Sequence, residues 1–206
     1  MSTLIKIFLL LLIIDLPSIS PLTFLLNKPL SYLCTHHDPL SPLPTVYSLL
    51  PPDLPQKFHT VGRLDAKTTG LLLITDDVGL VTYGTSGAVE KIYRATAMGA
   101  LNATQFDTLR EGVDLKGGLG NSDPCDVKMI KSERHNTVLE ITLMQGKNRQ
   151  IRRMLHEIGS GVLKLERTEI GGFRIDDLDL GEGDIKAVDE VELDLMIGYK
   201  ANVKTR

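Results

Sequence analysis

Cysteine is close to absent. Cys34 and Cys125 are the whole complement in 206 residues. Two thiols make no disulfide framework, and their separation matches no zinc or redox spacing, so both are expected to be reduced. A run long enough to cross a bilayer is also missing. The N-terminal "MSTLIKIFLLLLIIDLPSISP" offers eight apolar residues, 7–14, where a spanning helix needs roughly 20. That length suits a signal-peptide core, but Ser18 and Ser20 make a poor cleavage site. Residues 1–21 are therefore read as a hydrophobic leader, a targeting segment or an extension ahead of the fold, with no stable membrane partner. No internal repeat is present. His36, His37 and His59 sit in or beside a proline-rich stretch with no ligand spacing, so no metal site is expected.

A large net charge is lacking as well. The chain carries 23 bases and 26 acids, a formal net charge of −3, which by itself argues against a polyanion partner. The distribution of those charges points the other way. Residues 176–194 hold nine of the acids against the single base Lys186, leaving the remainder with an excess of five bases. A moderately basic body with an acidic C-terminal section is compatible with RNA binding. With 42% hydrophobic residues over this length, one core spanning residues 22–206 is expected.

Residues 23–29, "TFLLNKP", read as a strand closed by Pro29. The proline-rich residues 39–55 read as a loop with at most one helical turn. "LLLIT", residues 71–75, is a continuous apolar run of strand length and implies burial on both faces. "KIYRATAM", "CDVKMI" and "TVLEITLM" read as further strands. Between the first two, "NATQFDTLREG" has helix marks: Asn102 as cap, Phe106 and Leu109 on one face, Gly112 as stop. Strands and helices in this order predict an α+β fold, a mixed, largely antiparallel sheet with a few flanking helices.

Two stretches carry chemistry. In "VGRLDAKTTGLLLIT", residues 61–75, Asp65 stands between a turn and a buried strand, two residues after Arg63 and with no further acid for ten residues. Burial disfavours a charged carboxylate, and a guanidinium within reach favours it. An arginine partner is therefore expected beside Asp65. In "QGKNRQIRRMLHEIG", residues 145–159, Asn148 is the expected cap and Gly159 the stop. Ile151, Leu155 and Ile158 form the packed stripe, with Met154 beside it. Lys147, Arg149, Arg152 and Arg153 remain, with bases near the helix start where they oppose the macrodipole. Such a terminus is a good anion site, and one of its arginines would satisfy Asp65.

Together these motifs resemble the ribosomal RNA pseudouridine synthases, specifically the Rsu-like, small-subunit branch. "VGRLDAKTTGLLLITDD" is similar to that family's aspartate motif, "EKIYRATA" to its tyrosine motif and "GKNRQIRRMLHEIG" to its arginine motif. Weaker echoes are "LLNKPLSYLCTHHDP", "TVYSLLP" and "LERTEIGGFRID". The resemblance implies that Asp65 is the essential catalytic carboxylate, Tyr93 an aromatic lining the base pocket and Arg152 the partner of Asp65. It implies an isomerisation of uridine to pseudouridine in ribosomal RNA, without cofactor or metal, by a monomer. Asp65 as nucleophile, or as the charge and base beside the sugar, both stay open.

Arg63, Lys147, Arg149, Gln150 and Arg153 are the candidates for RNA contact, with Lys164 and Arg167 behind them. The chain departs from the family in three places. The leader stands where an S4-type RNA-binding domain is usual, the stretch "VGLVTYGTSGAVEKIY" reads as a shortened loop, and the bases common before the tyrosine are absent. These departures bear on RNA affinity more than on chemistry. Large-subunit rRNA modification, or a non-catalytic ribosome-assembly role on the same fold, are the alternatives. An unrelated hydrolase with an aspartate nucleophile would need a histidine or second acid as base, and none stands nearby. An RNA-containing compartment is expected, cytoplasmic, or organellar (plastid or mitochondrial) if the leader targets.

Overall fold

The computed structural model describes residues 21–201 apart from Asp53, Pro55 and Gln56, so the leader's residues 1–20 lie outside the described residues. The chain runs β1 (Thr23–Lys28), a 3-10 turn (Val46–Leu49), β2 (His59–Thr60), β3 (Thr69–Thr75), α1 (Val78–Thr85), β4 (Lys91–Met98) and α2 (Ala103–Glu111). It continues through β5 (Asp126–Ser132), β6 (Asn136–Leu143), α3 (Gln150–Glu157), β7 (Val162–Ile170), β8 (Phe173–Arg174), β9 (Ile185–Val188) and α4 (Glu190–Ile197). One sheet follows the path β5-β6-β4-β7-β3-β1-β9, with β2 on β3 and β8 on β7. The β3–β7 pairing is parallel; the others are antiparallel. The sheet is thus mixed and largely antiparallel, as the α+β reading requires.

The apolar run of β3 explains itself by alternation. Leu71 and Leu73 enter one core with Leu25, while Leu72 and Ile74 enter another with Phe24 and Leu26. Side chains on a strand alternate between faces, so only a run without polar residues can fill two cores at once. A third core lies on the other half of the sheet. There Phe106 and Leu109 of α2 and Ile151, Met154 and Leu155 of α3 pack on Ala95, Leu139 and Ile141. The β3–β7 junction demands a glycine. A Cβ on Gly70 would lie 2.2 Å from the Arg167 carbonyl oxygen, and the residue has φ +102°, a conformation open to glycine at little cost.

Two sequence expectations need correction. The stretch after Asp77 is the helix α1 and not a short loop. Its glycines and β-branched residues disfavour helix, but the Asp77 carboxylate accepts the Gly79 N–H at 2.7 Å and Leu80 is fully buried. Asn148 does not cap α3. Arg149 occupies the cap position at φ +52°, ψ +31°, with no side-chain cap bond. The acidic section is part of the fold: β9 pairs with β1, and Asp189 and Glu192 form a capping box at the start of α4. Acids there complement the macrodipole, which accounts for some of the charge bias.

Candidate active site

Asp65 sits in a turn whose backbone is bonded residue by residue. The Thr68 N–H donates to the Asp65 carbonyl at 3.0 Å, and the Ser31 N–H to the Ala66 carbonyl at 2.8 Å. Arg152 Nη2 donates to the Lys67 carbonyl at 2.8 Å and to Thr68 Oγ1 at 3.3 Å. Lys28 Nζ donates to the Thr68 carbonyl at 2.9 Å. Four consecutive carbonyls are therefore held, from the turn itself, from the loop after β1, from α3 and from β1. A turn satisfied in this way cannot drift without leaving polar groups unpaired.

The carboxylate faces the arginine motif. Arg152 Nε lies 3.5 Å from Asp65 Oδ2, with the arginine side chain 14% and the aspartate 33% exposed. The same Nε is buried and has no hydrogen-bond partner among the described residues. The contact is therefore an ion pair without an aligned hydrogen bond. One side of the carboxylate is balanced by charge, and a third of the group stays open to an incoming ligand. Burial pulls the Arg152 guanidinium below its ordinary value, and Asp65 pulls it back up. The Lys28 ammonium, fully buried, is lowered by burial, with Cys34, Asp65 and Glu182 opposing.

Asp65, Tyr93 and Arg152 line one narrow pocket of about 70 Å³, together with Arg63, Thr68, Lys147, Arg149 and Gln150. Leu143, Ile151 and Leu165 supply its apolar wall. The pocket opens beside a wider groove of about 490 Å³ that also borders Asp65 and is rimmed by Arg63, Lys147 and Arg149. Tyr93 packs against two of the cores at once, which places its ring at the seam of the sheet.

The other basic candidates divide by how their donors are used. Arg63 and Arg149 are exposed at the rim. Lys147 Nζ donates to the carbonyls of Leu119 and Asn121 at 3.1 and 2.6 Å. Arg153 donates to the carbonyls of Asn148 and Leu115 at 3.1 and 3.0 Å. Gln150 is buried at 4% exposure and accepts the Lys147 N–H at 3.0 Å. Lys164 pairs with Glu166 at 3.6 Å. Arg167 is only 3% exposed, and burial removes it from the surface phosphate role read from the sequence. His36 stacks on Tyr47 with ring centroids 4.0 Å apart.

Lys28 and Thr68 were not legible as site residues in the sequence. The signal for Lys28 was its position on the face of β1 that carries Phe24 and Leu26.

Lys91, two residues before Tyr93, gives a pH-dependent expectation. It is 8% exposed, donates to the Met144 carbonyl at 3.2 Å, and is lowered from 10.5 to about 8 by burial, with Arg167 adding to the effect. Between those values the unfolded chain holds a proton that the native one has lost, so this lysine makes stability rise with pH. Chemical unfolding of wild type and Lys91→Met from pH 7 to 10.5 should show wild type gaining on the variant above pH 8. Parallel profiles would mean that the ammonium is not desolvated.

Comparison with known proteins identifies the family. The sequence profile described as RNA pseudouridylate synthase matches residues 23–157. Ribosomal small subunit pseudouridine synthase A of Yersinia pestis is 33% identical over 177 residues, covering 85% of this chain and 72% of that protein. Ribosomal large subunit pseudouridine synthase B of Pasteurella multocida is 35% identical over 150 residues, 72% of this chain and 43% of that protein. A solved structure described as a pseudouridylate synthase superposes with a TM-score of 0.76 at 29% identity, covering 86% of this chain and 74% of that one. With the aspartate turn, the arginine helix and the tyrosine strand meeting at one pocket, the chain belongs to the RNA pseudouridylate synthase family.

Proposed function

We propose that the protein converts a uridine of ribosomal RNA, in the small subunit, to pseudouridine, with Asp65 as the reacting carboxylate. The observation that carries this reading is the open, ion-paired Asp65 at the wall of a pocket that also holds Tyr93. The small-subunit choice is supported by the name of the Yersinia pestis relative, which covers more of this chain than the large-subunit relative does.

In the reaction the N1–C1′ bond breaks and a C5–C1′ bond forms, while C5 loses a proton and N1 gains one. The product is an isomer, so no oxidant or second substrate enters. A stacked uracil is out of reach and must be flipped into the narrow pocket, at about a few kcal/mol. The Tyr93 ring offers a face worth ~1–3 kcal/mol to the flipped base. Asp65 then lies beside the sugar, acting on C1′ as nucleophile or as the charge and base next to it. Arg152 balances one side of the carboxylate by charge while leaving its other side free.

The wider groove takes the flanking backbone, with Arg63 and Arg149 on its phosphates. Lys147, Gln150 and Arg153 shape that rim from beneath. The protein acts as a monomer on RNA. Replacing Arg63 and Arg149 with alanine should flatten the salt dependence of RNA binding by about 0.7 in logarithmic slope per lost contact. Lys147→Met should lower the melting temperature more than the slope. An unchanged slope in the Arg63, Arg149 double variant would put the RNA on another face.

The function itself is tested with unmodified small- and large-subunit rRNA transcripts, free or partly assembled. Incubation with the protein followed by pseudouridine mapping should give a discrete site in the small-subunit transcript. A site in the large-subunit transcript alone would favour the large-subunit reading, and no site in either would remove the activity.

A further inference from the structure

Arg167 is a buried cation with no acid in ion-pair contact among the described residues. It is 3% exposed, yet it lies in β7 directly across from Tyr93 of β4, next to a register shift between Ile92 and Tyr93. Its Nε donates to the Leu71 carbonyl at 2.7 Å. Its Nη2 is buried with no hydrogen-bond partner among the described residues. The guanidinium carbon instead lies 6.0 Å from the centre of the Tyr93 ring. A buried charge of this kind is costly unless something compensates it. An apolar side chain would fill a strand position next to Leu165 more cheaply.

The two contacts that Arg167 makes have different ends. One is fixed to the backbone of β3, the strand that leads directly out of the Asp65 turn. The other is the face of the tyrosine that lines the same pocket. The guanidinium is planar and can bond a carbonyl at its edge while offering its face to a ring, which a lysine ammonium cannot do. The cross-strand register places Tyr93 and Arg167 on the same side of the sheet, and the close approach at Gly70 fixes the distance between β3 and β7.

We propose that Arg167 is a positioning residue for the isomerisation. It ties the plane of the Tyr93 ring to the strand carrying the Asp65 turn, so that the stacked uracil and the carboxylate keep one spacing. Arg167 does not line the pocket and does not touch the substrate; it acts through Tyr93. The proposal rests on the reading of Tyr93 as the stacking face for uracil.

The experiment is a cycle of Arg167→Met, Arg167→Lys and Tyr93→Leu, with the Arg167→Met, Tyr93→Leu double variant. Single-turnover pseudouridine formation, RNA affinity and melting temperature are read for each. Arg167→Met should slow the reaction by about 30–100-fold, the scale of a misplaced reacting group, with RNA affinity within about two-fold of wild type. In the Tyr93→Leu background the same change should add no further loss of rate, while still lowering the melting temperature. Arg167→Lys should recover melting temperature better than rate.

Tyrosine-labelled protein gives an independent signature, because only five tyrosines are present. The Tyr93 ring should flip faster in NMR once Arg167 is methionine. If Arg167→Met does not fold, Arg167→Lys carries both readouts. Rate losses that multiply in the double variant, or an undisturbed Tyr93 ring, would overturn the proposal. A full rate in Tyr93→Leu would overturn the stacking role and the proposal with it. That outcome differs from a failure of Arg167 alone, in which Tyr93→Leu is slow but Arg167→Met is not.

Discussion

Arg152→Ala is expected to slow pseudouridine formation by about 100-fold and to cost about 1–3 kcal/mol of stability, with RNA affinity nearly unchanged. The side chain has two tasks. It neutralises one side of Asp65, and it holds the Lys67 carbonyl and the Thr68 hydroxyl. Removing it leaves a carbonyl of the turn without its donor and frees one of four tethers. A fully buried ion pair broken on one side costs about 3–5 kcal/mol. Asp65 is a third exposed, so water recovers part of that and the smaller range applies. The rate falls because the turn loosens and the carboxylate loses its orientation. A double-mutant cycle with Asp65→Ala should give a coupling of about 0.5–3 kcal/mol. Additive losses would mean that the pair carries no energy and that Arg152 serves only the turn.

Legibility followed the range of the interactions. The double-faced burial of β3 was readable because one strand's composition records it directly. The caps and stops of α2 were readable because Asn102, Gln105 and Gly112 act within one turn: Gln105 N–H donates to the Asn102 side chain at 3.0 Å, and Gly112 sits at φ +97°. Asp65, Tyr93 and Arg152 meet in space from three motifs far apart in the chain; the sequence could call for an arginine near Asp65, and only the resemblance named which one.

What escaped was non-local. Arg167 stands among Lys164, Glu166 and Glu169 and reads as one more candidate for RNA contact; its burial arises from pairing with β4 and β3, neither adjacent in sequence. Helix α1 has glycines where propensity argues against it, and packing of Gly84 on Val61 together with the Asp77 cap outweighs that. Asn148 carries the right side chain for a cap, but Gln150 reaches back to the Lys147 N–H and the chain enters α3 through Arg149.

The most direct measurement is single-turnover pseudouridine formation by wild type and Asp65→Asn on the same small-subunit rRNA transcript, with RNA affinity and melting temperature taken on the same samples. Asparagine keeps the shape of the side chain and removes the charge. The turn keeps its four carbonyl donors, none of which uses the carboxylate, but Arg152 loses its charge partner, so stability should fall by about 0.5–3 kcal/mol, a melting shift of no more than about 12 °C. RNA affinity should stay within about two-fold. The chemical step should fall by on the order of 10⁴-fold or more, the scale of removing a group that acts directly in the reaction. The expected result is about one pseudouridine per transcript with wild type and none with Asp65→Asn over the same interval. Pseudouridine formed at near wild-type rate by folded, RNA-bound Asp65→Asn would contradict the assignment of Asp65 as the reacting carboxylate.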